Sequence, residues 1–209
     1  MSVSKHIATG LLEIAAVKLS PNDPFTWSSG WKSPIYCDNR LTLSYPPLRS
    51  NIKEAFKQKI RAEYGEVEAI AGVATAGIPQ GALVADVLDV PFIYVRSKPK
   101  GHGMTNMIEG EIRKGQKVVV IEDLISTGGS SIKAIEALRE AGIQVLGLGA
   151  IFSYGFPHAA ENLQEKGIEF FTLSDYSTML EVALEKAYIN ADDLNSLNEW
   201  REDPASWKQ

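Results

Sequence analysis

Glu122 and Asp123 stand directly behind the apolar run Val118-Val119-Val120-Ile121 and directly ahead of Leu124-Ile125-Ser126-Thr127-Gly128-Gly129-Ser130-Ser131. A buried strand, two acids, a small-residue loop and a helix start together make a phosphate site. In an open parallel sheet the loop after a strand lies at the carboxyl edge where ligands bind, and the next helix offers free N–H groups and a positive dipole end. Gly128 and Gly129 let the backbone come close to an anion, and Thr127, Ser130 and Ser131 add hydroxyl donors. Two carboxylates beside such a site would repel phosphate unless they bind something else. Ribose hydroxyls or a metal-bound sugar meet that need, so the pair points to a sugar phosphate, although an acid pair alone would read as a solvated strand end. The glycines lack the G-x-G-x-x-G spacing of dinucleotide folds, whose acid follows about 20 residues later, and no Gly-Lys-Ser/Thr of a Walker loop occurs here.

A second constellation is Arg96-Ser97-Lys98-Pro99-Lys100-Gly101-His102-Gly103, which follows the apolar run Phe92 to Val95 and stays polar through Gly110. Arg supplies a planar fork for phosphate oxygens, Lys a mobile charge and His a proton donor near neutral pH, a set suited to a departing pyrophosphate. A solvated cationic loop is the plain alternative. Its place at the end of an apolar run, on the same edge as the acid pair, favours the chemical reading. His6 and His158 read as surface residues.

The elements that must position these groups are legible as alternating runs. Ala69 to Val73, Pro91 to Val95, Lys117 to Ile121 and Val145 to Phe152 are rich in Val and Ile with little alternating polarity, as strands covered on both faces would be. Between them Ile78 to Leu88 and Ser130 to Ala141, the latter stopped by Gly142, are expected crossover helices. Further helices are expected over Ser4 to Leu19, with Ile7, Leu11, Ile14 and Ala15 inward, and over Pro47 to Tyr64. Pro21 to Pro46, carrying Trp27, Trp31, Tyr36 and Tyr45, reads as a small lid. A strand at Ile168 to Leu173, a helix near Thr178 to Tyr188 and a helical tail ending at Trp200 close the chain. The class is α/β, one domain over residues 1–209.

With 209 residues, 44% hydrophobic and 22% charged, the chain can bury one sizeable core. Its formal net charge of −5 favours neither nucleic acid nor acidic lipid as a partner. The single cysteine, Cys37, excludes an internal disulfide framework and suits a reducing compartment. With no signal-like or membrane-spanning apolar run, a cytoplasmic protein is expected.

The Glu122 to Ser131 segment resembles the PRPP (phosphoribosyl pyrophosphate) signature of type I phosphoribosyltransferases, and Arg96-x-x-x-Lys100-x-His102 is similar to the mobile loop of orotate phosphoribosyltransferases. Phe25-Thr26-Trp27-Ser28-Ser29-Gly30-Trp31-Lys32-Ser33-Pro34-Ile35-Tyr36-Cys37-Asp38 carries that family's Phe, Ser-Gly and Lys-Ser-Pro landmarks. The resemblance spans Ile7 to Thr172. It implies a central, mostly parallel sheet flanked by helices, with an N-terminal hood at 21–46 and a mobile catalytic loop at 96–113. By the same resemblance Glu122 and Asp123 hold the ribose hydroxyls, and the PRPP site runs on through Leu124, Ile125, Ser126, Thr127, Gly128, Gly129 and Ser130, with Ser126 to Ser130 around the 5-phosphate. Arg96, Lys100 and His102 serve the leaving pyrophosphate. Lys32, Ser126 and Tyr36 are its expected orotate contacts, Mg²⁺ arrives on PRPP without direct protein ligands, and a homodimer shares its sites between subunits. Departures from relatives are Ser28 for a lysine, Ser97 for a basic residue, Ala76 within the Lys-Gly-Ile-Pro position, and a stretch including Tyr154 for an arginine. The alternatives are transfer to another base and a PRPP-sensing regulator without catalysis.

Overall fold

The computed structural model describes residues 2–27, 30–98 and 107–208. Helix α1 (Val3–Glu13) opens the chain, with the Ser2 side chain accepting from the Lys5 N–H as its cap and Ile7, Ala8, Leu11 and Leu12 buried. The helical period does not continue to Leu19 as expected. Ala15 takes a left-handed φ of 55° and ends it, and Val17–Leu19 becomes strand β1. The outward Ala15 and half-buried Ile14 therefore do not belong to the inward stripe.

The hood follows as short pieces: β2 (Phe25–Thr26), β3 (Lys32–Ser33), β4 (Ile35–Cys37) and a 3₁₀ helix, Asn39–Ser44. β2 pairs with β3, and β1 takes its backbone partners from β4, with Val17 opposite Cys37 and Leu19 opposite Ile35. Pairing along this stretch supplies the hydrogen bonds that a longer α1 would have made internally. Helix α2 (Pro46–Tyr64) starts on Pro46 and Pro47, where a missing N–H costs nothing, and buries Leu48, Ile52, Phe56 and Ile60.

The core sheet then assembles from β5 (Ala69–Val73), helix α3 (Gly77–Leu88), β6 (Phe92–Val95), β7 (Ile108–Glu109), β8 (Lys117–Ile125), helix α4 (Gly129–Glu140), β9 (Gln144–Ser153), helix α5 (Pro157–Glu165) and β10 (Phe170–Asp175). The strand order is β10-β9-β8-β5-β6-β7, parallel throughout except for the short edge strand β7. Every residue of β5 is buried, as in a strand covered on both faces. Helices α6 (Tyr176–Glu185) and α7 (Asp193–Glu202) complete the chain, α6 capped by the Asp175 carboxylate on the Thr178 N–H at 2.8 Å. The C-terminal strand and helix begin two residues away from their expected starts. Ser174 and Asp175 are polar, yet they continue the ladder opposite Phe152 and Ser153.

Two features of the sheet place the site. From β5 the chain proceeds outward to β6, and from β8 it proceeds the other way to β9 and β10, so the switch point lies between β5 and β8, where open α/β sheets bind ligands. β8 also runs four residues beyond the expected Ile121. On the β9 side it stays paired through Ile125 opposite Ser153, whereas on the β5 side pairing stops at Ile121 opposite Gly72. A crevice opens there.

Candidate active site

Glu122 and Asp123 are the first residues of β8 past the end of its β5 pairing, so they sit in a strand anchored on one edge only. Glu122 is 5% exposed. Its Oε1 accepts from the Asp123 N–H at 3.0 Å, and its Oε2 receives the Ser130 and Ser131 hydroxyls at 3.3 and 3.5 Å. Burial first, and the neighbouring Asp123 charge second, raise the Glu122 carboxyl well above the ordinary carboxylate range. Burial also raises Asp123, opposed by hydrogen bonds from the Glu122 carboxyl and from backbone N–H groups. Desolvation outweighs those hydrogen bonds, so both carboxyls lie above their ordinary values.

The loop that follows is shaped for an anion. Gly128 has φ 80°, the left-handed conformation that glycine adopts without strain, and turns the chain into α4. The first helical bond comes from the Ile132 N–H to the Gly128 carbonyl, and no side chain caps the helix, so the N–H groups of the first turn point out of its end. Thr127, Gly129 and Ser130 are exposed around it, Ser126 and Leu124 are half-buried, and Ile125 is buried in the core.

Across the switch point, the loop from β5 to α3 approaches the same crevice. A Cβ on Gly77 would lie 2.5 Å from the Ile121 carbonyl and 3.3 Å from Glu122 Oε1, so the start of α3 rests directly on the acid strand. The Ala74–Thr75 peptide in this loop is cis.

A buried polar chain supports the acids from the hood. Asn39, 1% exposed, donates from Nδ2 to the Asp123 carbonyl at 2.7 Å; the Thr42 hydroxyl donates to the Asn39 carbonyl at 2.6 Å; Gln80 Nε2 donates to Thr42 Oγ1 at 2.9 Å. The 3₁₀ helix, β8 and α3 are thereby tied at one point. The sequence carries no periodic signal for Asn39, whose partner is 84 residues away. Asn39→Ala is expected to cost about 1–2 kcal/mol, a buried carbonyl being left without its donor. Urea denaturation checks this, and an unchanged midpoint would show that the bond carries nothing.

Beside the acid strand lies a cavity of about 430 Å³ walled by Thr26, Trp27, Tyr36, Cys37, Leu124, Ser126 and Tyr154. Of the three residues expected to contact the base, Tyr36 and Ser126 are on this wall. Lys32 is behind it, its ammonium donating to Thr26 Oγ1 at 3.0 Å. Burial, then the Asp123 and Asp38 charges, push the Cys37 thiol pKa up, so it stays protonated. The far wall is aromatic. Trp200 of α7 is fully buried against Trp27, Tyr154, Phe156 and Tyr176, so the C-terminal tail backs two of the cavity's lining residues, Trp27 and Tyr154, a role its sequence does not reveal.

At the end of β6, Arg96 is held by its N–H on the Met107 carbonyl at 2.8 Å and by an ion pair to Glu109 of 3.1 Å. Met107 is buried and β7 pairs with β6 within the 96–113 span. Lys100 and His102 lie outside the described residues. His6 and His158 are exposed. Among the described residues no group of three or more His, Cys, Asp or Glu side chains comes together to hold a metal ion, and no helix is long and apolar enough to cross a membrane.

A family model described as a phosphoribosyl transferase domain matches residues 43–175, a span that holds both the switch-point acid pair and the uncapped helix start, and it places the chain in the phosphoribosyltransferase class. The orotate phosphoribosyltransferase of Cytophaga hutchinsonii is 55% identical over 209 residues, 100% of both chains, and that of Listeria monocytogenes is 56% identical over 207 residues, 99% of both. The solved orotate phosphoribosyltransferase of Aeropyrum pernix is similar in fold, with a TM-score of 0.75 at 32% identity over 87% of this chain and 97% of that one. The chain belongs to the orotate phosphoribosyltransferase family.

Proposed function

We propose that this protein transfers the ribose 5-phosphate of PRPP to a ring nitrogen of orotate, giving orotidine 5'-monophosphate and pyrophosphate for pyrimidine biosynthesis. The observation that carries the reading is the contiguity of three subsites on one strand end. Glu122 and Asp123 lie at the switch point, the Ser126 to Ser130 loop opens a helix N-terminus, and the base-sized cavity shares Leu124 and Ser126 with both.

The bond from the anomeric carbon to the pyrophosphate oxygen breaks with its electron pair leaving on pyrophosphate, and a bond forms to the orotate nitrogen as that nitrogen loses its proton. The transition state has positive charge on the ribose and growing negative charge on the leaving group. Asp123, with Glu122 behind it, accepts the ribose hydroxyls and offsets the sugar's charge. The first turn of α4 and the Thr127 and Ser130 hydroxyls take the 5-phosphate. Arg96 waits on Glu109, and its guanidinium exchanges that partner for pyrophosphate oxygens, joined by Lys100 and His102. Mg²⁺, which would arrive with PRPP rather than on protein ligands of its own, would supply further neutralisation of the leaving group beside Asp123. The enzyme acts in the cytoplasm as a homodimer whose loops serve the partner's site.

The test follows the loss of orotate ultraviolet absorbance with PRPP and Mg²⁺, in parallel with uracil, xanthine and hypoxanthine, and repeats it with a chelator. Turnover of orotate alone, lost on chelation and restored by Mg²⁺, is expected. Turnover of another base moves the acceptor, and PRPP binding without turnover of any base would make the protein a regulator.

A further inference from the structure

The cavity beside the acid strand offers few groups able to grip a polar base. Trp27 and Leu124 are apolar, Cys37 is a weak donor, and the Lys32 ammonium is engaged by Thr26 Oγ1. Tyr36 is 40% exposed at the rim. Tyr154 differs from all of these: it is 3% exposed, yet its hydroxyl makes no hydrogen bond with any described residue. Buried phenols usually find a partner, as the neighbouring Tyr176 does by donating to the Leu197 carbonyl at 2.9 Å.

The Tyr154 ring lines the cavity and is packed among four other aromatic rings. Ring centroids of Trp27, Phe156, Trp200 and Phe152 lie 5.3, 5.5, 5.6 and 5.8 Å away. Its backbone N–H donates to the Ile125 carbonyl at 3.3 Å, next to Ser126, so the hydroxyl keeps a fixed relation to the sugar subsite. A hydroxyl with no hydrogen-bond partner among the described residues, fixed on the wall of a pocket whose described lining lacks strong donors, is placed for a ligand.

Resting on the reading of this cavity as the base pocket, the geometry points to Tyr154 as a specificity-determining residue whose hydroxyl donates a hydrogen bond to an oxygen of the acceptor pyrimidine. The pocket then recognises its anionic base through neutral hydroxyls, Tyr154 and Ser126, with Lys32 one residue behind. Burial first, and the Asp123 charge with it, push the phenol pKa up, so the group remains a donor through the neutral range. Trp200 fixes the ring edge-on at 86°, which gives the C-terminal helix a part in base selection.

Tyr154→Phe tests this, since it keeps the ring and removes only the donor. The KM for orotate should rise about tenfold, the value of one hydrogen bond in a dry pocket, with the KM for PRPP and the thermal midpoint little changed. Tyr154→His, which retains a donor, should recover part of the loss. An unchanged KM for orotate would overturn the assignment while leaving orotate as the substrate. An equal rise in both KM values would also overturn it, because the ring would then be shaping the whole site. Failure of the wild-type protein to use orotate would remove the reading on which the assignment rests. If Tyr154→Phe does not fold, 3-fluorotyrosine at position 154 keeps both shape and hydroxyl. Its fluorine resonance should move when orotate joins the PRPP-bound protein, and no movement would refute the contact.

Discussion

Glu122→Gln should leave the ligand-free protein more stable at pH 8 than the wild type and still weaken PRPP binding by about 100-fold, near the upper value of a hydrogen bond to a charged group. The opposite signs follow from the carboxyl's environment. Burial and Asp123 raise the native pKa of Glu122 well above the ordinary 4.5 of the unfolded chain. Over the interval between those values the native state holds a proton that the unfolded state has released. The stability from this group is therefore fully present below about pH 4.5 and is lost as pH rises through the raised native value. A glutamine has no charge to desolvate. Its oxygen can accept from the Asp123 N–H, and its amide can donate towards the Asp123 carboxyl. The gain at pH 8 should be on the order of 1 kcal/mol or more, one pKa unit being worth about 1.4 kcal/mol. Urea midpoints at pH 6 and 8 should show the wild-type slope flattened in the variant, and calorimetric PRPP titration should show the binding loss. A less stable variant would make Glu122 a structural acid, and unchanged PRPP affinity would remove the pair from the ribose site. Asp123→Asn should weaken PRPP binding with the fold intact.

The upward shift of the two carboxyls in the ligand-free site also bears on how the site accepts its substrate. Two buried carboxyls in contact resist full ionisation until donors arrive, and the ribose hydroxyls of PRPP would be such donors. PRPP binding should accordingly release a fraction of a proton near neutral pH, measurable as a dependence of the calorimetric heat on buffer ionisation enthalpy. Equal heats in phosphate and Tris buffers would show that the pair is already charged.

Sequence pattern made the sheet and its acid pair legible because both are local. Val118 to Ile121 announces a buried strand by composition, and Gly128 and Gly129 announce a turn by chemistry. The four extra residues of β8 were not legible. Glu122 and Asp123 read as the end of an apolar run, whereas pairing with β9 carries the strand on to Ile125 irrespective of polarity. The end of α1 was obscured for a related reason: Val17 and Leu19 continue an apolar pattern, and only pairing with β4, Val17 opposite Cys37 and Leu19 opposite Ile35, converts it to strand. Least legible were the residues that complete the site from a distance. Asn39 reaches the acid strand, Tyr154 its pocket, and Trp200 packs against Tyr154, from three separate parts of the chain that no spacing rule links.

Gly77→Ala should destabilise the protein by about 3 kcal/mol, the upper range for overpacking, because its added methyl would meet backbone on a central strand. The new Cβ would lie 2.5 Å from the Ile121 carbonyl and 3.3 Å from the Glu122 Cα, neither of which can rotate away. Gly10 supplies the control. Its Cβ would also meet an atom at 2.5 Å, but that atom is Leu48 Cδ1, the tip of a flexible side chain that borders a groove, and Gly10 lies inside α1, where alanine is favoured by about 1 kcal/mol. Gly10→Ala should therefore be nearly neutral. Because Gly77 abuts the strand at the acid pair, relief of the clash must push α3 from β8 and widen the switch point, so PRPP affinity should fall in Gly77→Ala and not in Gly10→Ala. Urea denaturation with an unchanged slope would report the stability difference, and PRPP titration the effect on the site. Equal behaviour of the two variants would mean that the contact between α3 and β8 yields as easily as a leucine side chain, and that the close approach of the two elements does not set the geometry of the acids.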